Sequence, residues 1–128
     1  MIPDRYSPYL LSLLRIVAGF MFLFHGLQKL VGAFGGTAVP LASLFGLAGV
    51  IEGVGGTLIM LGLFTRPVAF LASGQMAAAF FMAHLPKGVL PIGNGGELAA
   101  LYSFVFLYLS ARGGGPLSVD ALMGKSGR

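Results

Sequence analysis

The chain has 128 residues, 56% hydrophobic and 9% charged, with a net charge of +4 and no cysteine. An ordinary soluble domain carries about 25% charged residues, so this composition excludes a water-facing globular surface and places the chain in lipid. It also excludes disulfides, thiol nucleophiles and cysteine-ligated iron–sulfur or zinc sites. The basic residues stand singly near the ends of apolar stretches, which is a pattern of membrane anchoring and not of nucleic-acid binding.

Taken in order, the chain opens with a short polar lead, Met1 to Ser7, and Pro8 suits the first turn of a helix. The first expected span covers about 8–31. Its core, IVAGFMFLF, is not read as a cleaved signal, because Arg15 interrupts the apolar run and no A-x-A site follows cleanly. Arg15 is expected to snorkel to the near surface or to pair inside. A small-residue connection follows, GAFGGTAVPLASL, in which Gly35, Gly36 and Pro40 argue against a continuous helix. The second span, about 45–64, is apolar apart from Glu52. Gly46, Gly49, Gly53 and Gly56 recur at a 3-4-3 spacing and share one helix face with Glu52. Such a stripe lets helices approach closely in lipid, and it is also a candidate surface for holding another membrane subunit or a second copy.

Pro67 marks a tight turn into the third span, about 67–85, which is alanine-rich and carries Gln75 and, at its end, His84. PKGVLPIGNGG, from Pro86 to Gly96, reads as a loop. The fourth span covers about 97–111 and is short, which tilt and bilayer thinning tolerate. Leu117 to Arg128 reads as a polar tail with Asp120, Lys125 and Arg128. The expected fold is therefore an all-α integral membrane protein, a single domain over 1–128 with four transmembrane helices in an antiparallel bundle. Arg5, Arg66, Arg112, Lys125 and Arg128 fall on one side, and Lys29 and Lys87 on the other. The positive-inside rule then puts both termini in the cytoplasm.

At about 1.5 Å per residue, His25 lies roughly 9 Å below the outer surface and Glu52 roughly 10 Å. They are level on neighbouring spans, so they are expected to pair as a proton relay or as partners of a quinone carbonyl. Lys29 shares a face with His25, and His84 and Glu97 end the third and fourth spans on the same side. Each also has a plainer reading: Glu52 as a packing hydrogen bond, Lys29 as a snorkelling anchor, His84 as an interfacial residue, and Glu97 as an acid favoured by a helix N-terminus. Gln75 reads as a packing hydrogen bond. His25 and His84 differ in depth by roughly 7 Å, which argues against a bis-histidine haem and, less strongly, against a metal held by His25, Glu52 and His84. No nucleotide-binding motif is present.

Leu14-Arg15 followed by Phe24-His-Gly-Leu-Gln-Lys-Leu30 resembles the first-helix signature of DoxX proteins. Glu52 with its glycines and Leu61-Gly-Leu-Phe-Thr-Arg66 resemble the second. Asn94-Gly-Gly-Glu97 and Leu117-Ser-Val-Asp120 are similar to the family's closing pattern. The resemblance implies a multi-pass protein of the bacterial inner membrane, in a family some of whose members are subunits of thiosulfate:quinone oxidoreductase. With the outer polar cluster, it leads to the expectation of a quinone-linked redox subunit. His25 and Glu52 are its candidate catalytic residues. His25, Lys29, Glu52, His84 and Glu97 are the candidate cofactor-binding set, with quinone the cofactor and no metal, haem or nucleotide. Expected partners are membrane lipid and a redox subunit or a second copy of the chain. The alternatives are a non-catalytic assembly partner of a redox enzyme and, behind it, a small permease.

Overall fold

Each long apolar stretch forms a helix whose ends are set by local chemistry. The computed structural model describes residues 1–124 and is all-helical there, without strands among the described residues. The tail cations Lys125 and Arg128 lie outside the described residues.

After one 3-10 turn, α1 runs over Ser7–Val31 with Pro8 in its first turn, and it stops at Gly32, whose left-handed φ of 71° lets the chain leave. Helix α2, Leu44–Leu61, is capped by Ser43, whose hydroxyl accepts the Gly46 N–H at 3.0 Å. It ends at Gly62, three residues short of the expected span, because Gly62 takes a left-handed φ of 72°. Helix α3 covers Thr65–Ala79 and then loosens into a π turn at Phe80–His84 and a 3-10 turn at Leu85–Lys87. The loop expected after it contains a one-turn helix, α4, Pro91–Asn94. Helix α5 spans Glu97–Arg112, and the tail holds a short α6, Val119–Leu122.

The long helices pack as two antiparallel pairs, α1 on α2 and α3 on α5. In the first pair Gly26 meets Gly53 and Gly19 meets Gly56 and Met60, so residue numbers fall on one helix as they rise on the other. In the second pair the Ser73 hydroxyl donates to the Ser103 carbonyl at 2.7 Å, and the Ser103 hydroxyl donates back to the Ser73 carbonyl at 3.1 Å. Phe22 reaches from α1 into the ring stack of Tyr102 and Phe106 on α5, joining the pairs across the core.

The glycine stripe is spent inside the chain. Gly49, Gly53 and Gly56 are buried against α1, and a Cβ at Gly26 or Gly56 would strike the facing main chain. The stripe is therefore not an outer surface for another subunit or copy, because α1 of the same chain already occupies it. The outward faces carry large apolar groups instead: Val54, Phe70 and Phe104 are each more than half exposed. An apolar surface of this extent belongs against lipid. Three helical segments are long and apolar enough to cross a membrane, Asp4–Val31, Leu44–Leu61 and Thr65–Lys87. Helix α5, at 16 residues, rises only about 24 Å.

The tail is not a loose polar end. Arg15, 1% exposed, pairs inside: its guanidinium donates to the carbonyls of Gly114 and, at 2.6 Å, Leu117. Ser12 donates to Gly114 and accepts the Leu117 N–H. Asp120 accepts the backbone N–H groups of Phe64 and Thr65, each at 3.0 Å, and so caps the start of α3. Phe64 holds a left-handed φ of 52° in this turn, a costly conformation for a bulky residue, and its N–H is bound by that carboxylate.

Three substitutions test this packing. Gly26→Ala is expected to lower the thermal unfolding midpoint in detergent, at a cost of about 1–3 kcal/mol for overpacking a closed seam. Gly74→Ala, whose Cβ would meet nothing within 4 Å, should leave the midpoint unchanged or raised. Asp120→Ala deprives two backbone donors of their acceptor and should cost about 2 kcal/mol. It should also make the tail after Gly113 sensitive to limited proteolysis. An undigested tail would show that Arg15 and Ser12 hold it unaided.

Candidate functional site: a carboxylate at the loop end of the bundle

The end of the bundle away from the termini holds a cavity of about 320 Å³ between all four long helices. Its position follows from the helix pairing. Residues 22–29 of α1, 45–52 of α2, 75–84 of α3 with its π turn, and 95–102 at the start of α5 all reach this level.

Glu52 is its centre. The residue is 1% exposed, so its charge is removed from water and needs partners. Lys29 of α1 supplies one, with Nζ 2.7 Å from Oε1. Gln75 of α3 supplies the other, its Nε2 donating to Oε2 at 3.0 Å. A carboxylate only accepts hydrogen bonds, so the amide must turn its nitrogen to Glu52. The Gln75 Oε1 is then left buried with no partner among the described residues.

His25 does not pair with Glu52 as its depth suggested. Both carboxylate oxygens are engaged by Lys29 and Gln75, and the imidazole instead lies perpendicular to the Tyr102 ring, with ring centroids 6.2 Å apart. His25 still lines the same cavity. His84 joins it from the π turn, which carries the imidazole inward; its Nδ1 lies 3.2 Å from the Asn94 carbonyl. Asn94 is buried and braces the loop, donating to the Gly88 carbonyl at 2.9 Å and accepting the Gly96 N–H at 2.7 Å. Glu97 is exposed at the start of α5 and lines a separate groove with Pro91 and Phe104, not this cavity.

Tyr102 and Gln75 belong to the site and were not singled out as such by sequence reasoning. The Tyr102 hydroxyl is buried without a partner among the described residues, at a wall of the cavity. A signal for Gln75 existed: Glu52 stands ten residues before Gly62 and Gln75 ten after Thr65, so a tight hairpin brings them level. Tyr102 offers no comparable signal, since α5 meets α1 without a short connection.

Together these groups give a cation, an anion, two imidazoles, a free amide acceptor and a free phenol donor around one hollow with apolar walls. Buried polar groups without partners are uncommon, and two of those among the described residues, Gln75 Oε1 and Tyr102 Oη, belong to residues that line this one cavity.

The DoxX family model matches residues 10–85. This chain belongs to the DoxX family. The match takes in Arg15, His25, Lys29, Glu52, Gln75 and His84, and ends before Tyr102. A Haemophilus influenzae protein, named only as uncharacterized, is 46% identical over 91% of this chain and 92% of its own length. An uncharacterized membrane protein of Mycobacterium tuberculosis, Rv3486, is 33% identical over 88% of this chain and 80% of its own. The Bacillus subtilis protein named "Putative oxidoreductase CatD" is 29% identical over 88% of this chain and 86% of its own. No solved structure matches the chain. The chain is thus a DoxX-family membrane protein, as its first-helix and second-helix motifs implied.

The Lys29–Glu52 pair allows a direct check. Lys29→Met leaves a buried carboxylate short of its cation and is expected to destabilise the protein by about 3 kcal/mol. Adding Glu52→Gln removes the stranded charge, so the double variant should recover most of that loss in thermal unfolding. Additive losses would show that the two side chains do not act on each other.

Proposed function

We propose that this DoxX-family protein is a quinone-linked redox subunit of the bacterial inner membrane and that the Glu52 cavity binds the quinone headgroup. The observation that carries the proposal is the pair of unpartnered polar atoms, Gln75 Oε1 and Tyr102 Oη, on an apolar-walled cavity around a buried carboxylate. A quinone headgroup is flat and apolar with carbonyl oxygens at its edge, and it fits a hollow with few, oriented polar groups. In redox chemistry it supplies a two-electron, two-proton acceptor that becomes a hydroquinone.

The chain's own residues serve the two forms differently. The Tyr102 hydroxyl donates to a carbonyl oxygen. The Gln75 Oε1 accepts from a hydroxyl. The imidazoles of His25 and His84 line the cavity, and each can take up and release a proton, which suits them to pass protons between the cavity and the loop end. Glu52 and Lys29 hold the polar floor in place and keep Gln75 turned so that its oxygen faces outward from the carboxylate. The apolar walls, Phe22, Met76 and Ala99 among them, exclude water. The name of the Bacillus subtilis relative, an oxidoreductase, agrees with this reading. Electrons would come from a partner subunit.

In this reading α5 completes a fourth crossing by tilting or thinning the bilayer. Arg5, Arg66 and Arg112 gather at the terminal end of the bundle and Lys29 and Lys87 at the loop end, which favours cytoplasmic termini and a cavity toward the outer surface.

Mass spectrometry of small molecules extracted from the detergent-purified protein tests the proposal. A quinone retained by the parent, and reduced at least about tenfold in Glu52→Gln of equal helicity, is the expected result. Background levels in both would overturn it.

A further inference from the structure

The polar cavity has an apolar neighbour on its α2–α3 side. It lies beside a second hollow of about 400 Å³ between α2 and α3. Phe45, Ala48, Gln75, Ala79 and Ala83 line both. Beyond these shared residues the second hollow is lined by Leu44, Leu47, Ile51, Ala78 and Met82, so Gln75 is its single polar residue and stands at the junction.

Helix packing explains why this hollow lies here. The α2–α3 seam is where the two tight pairs meet, and the helices touch far less there than within either pair. Near the connecting turn the seam is closed, with Val68 against Gly55. Further along it is bridged by the hydrogen bond from Gln75 to Glu52. Past that bond, alanines at 48, 78, 79 and 83 leave space that larger side chains would fill. At the rim Leu44, Phe45, Leu47 and Met82 are all more than half exposed, on the faces that meet lipid.

We infer that this groove seats the apolar tail of a lipid-tailed quinone whose headgroup occupies the Glu52 cavity, and that the ligand enters sideways from the bilayer between α2 and α3. The inference rests on the quinone reading and adds the ligand's class and its route. The occupant follows from the shape and chemistry of the two hollows together. One is polar at its floor and carries unpartnered hydrogen-bonding atoms. The other is apolar, shares five lining residues with the first and has exposed apolar side chains at its rim. A molecule that complements both at once has a compact polar head and a long hydrocarbon tail. The tail gains little by leaving lipid for the groove, since both are apolar. Its role is steric: Gln75 lines both hollows, so a headgroup bound there has the groove beside it to take its tail. Filling the groove therefore excludes tailed ligands and spares tailless ones.

The test compares two soluble probes, decylubiquinone with a ten-carbon tail and duroquinone with none, titrated into the purified protein in nanodiscs of one lipid composition. Ala78→Phe fills the groove from α3 and Leu47→Trp from α2. Both residues face lipid and neither lines the headgroup cavity, so each variant should fold. The parent is expected to bind both probes. Each variant should bind decylubiquinone about tenfold more weakly and duroquinone within about twofold of the parent. If both variants bind decylubiquinone like the parent, the groove does not seat the tail, and the quinone site itself stands. If both probes weaken equally in both variants, the groove does not discriminate tails, and the inference is likewise overturned. If the parent binds neither probe, the quinone reading fails and this inference with it.

Discussion

A carboxylate buried within a membrane helix constrains everything around it. Glu52 cannot be left alone in so apolar a setting, because an ion without partners costs far more than the small net stability of a protein this size. The fold meets that requirement with one partner from each neighbouring helix, Lys29 from α1 and Gln75 from α3. Three helices are thereby tied at a single level. The glycine seam makes it reachable: with Gly26 against Gly53, α1 and α2 lie close enough for the lysine one turn further along to reach the carboxylate.

The two ends of the bundle use buried polarity for different purposes. At the terminal end Arg15, Ser12 and Asp120 are engaged mostly by main-chain groups, and they fold the tail back over the bundle. Arg15 Nε and Thr65 Oγ1 are also buried there without hydrogen-bond partners among the described residues, but neither residue lines the Glu52 cavity, and the main-chain bonds of this end serve to hold the tail. At the loop end the same kind of accounting leaves Gln75 Oε1 and Tyr102 Oη over, and both line a cavity. The π turn at Phe80–His84 belongs to that end, where such departures from regular helix commonly accompany function.

The site also shows how one kind of argument succeeds and fails. Depth along straight helices placed His25 and Glu52 level, and both do line the cavity. Depth says nothing about azimuth, however, and it is azimuth that gives Glu52 to Lys29 and Gln75 while turning His25 toward Tyr102. His84 was expected at the end of the third span, and from the π turn there it lines the cavity. Glu97 was drawn in by its height alone, and its side chain lies on another face.

By itself the sequence determined that this chain is helical and lives in lipid, because periodic glycines, scattered charges and long apolar runs admit few other solutions. It determined that Glu52 is special, since a lone acid in such a run is costly wherever the helix lies. It carried the family in its short motifs. Only the tertiary structure decided that the glycine stripe closes against α1 of the same chain, that the tail is held by Arg15 through the Gly114 and Leu117 carbonyls and by Asp120 at the start of α3, and that Tyr102 reaches the cavity from α5. Those facts depend on helix rotation and on contacts between residues far apart in the chain, and no local pattern encodes either. The groove between α2 and α3 belongs to the same class: its alanines are ordinary helix residues until two loosely packed helices bring them together.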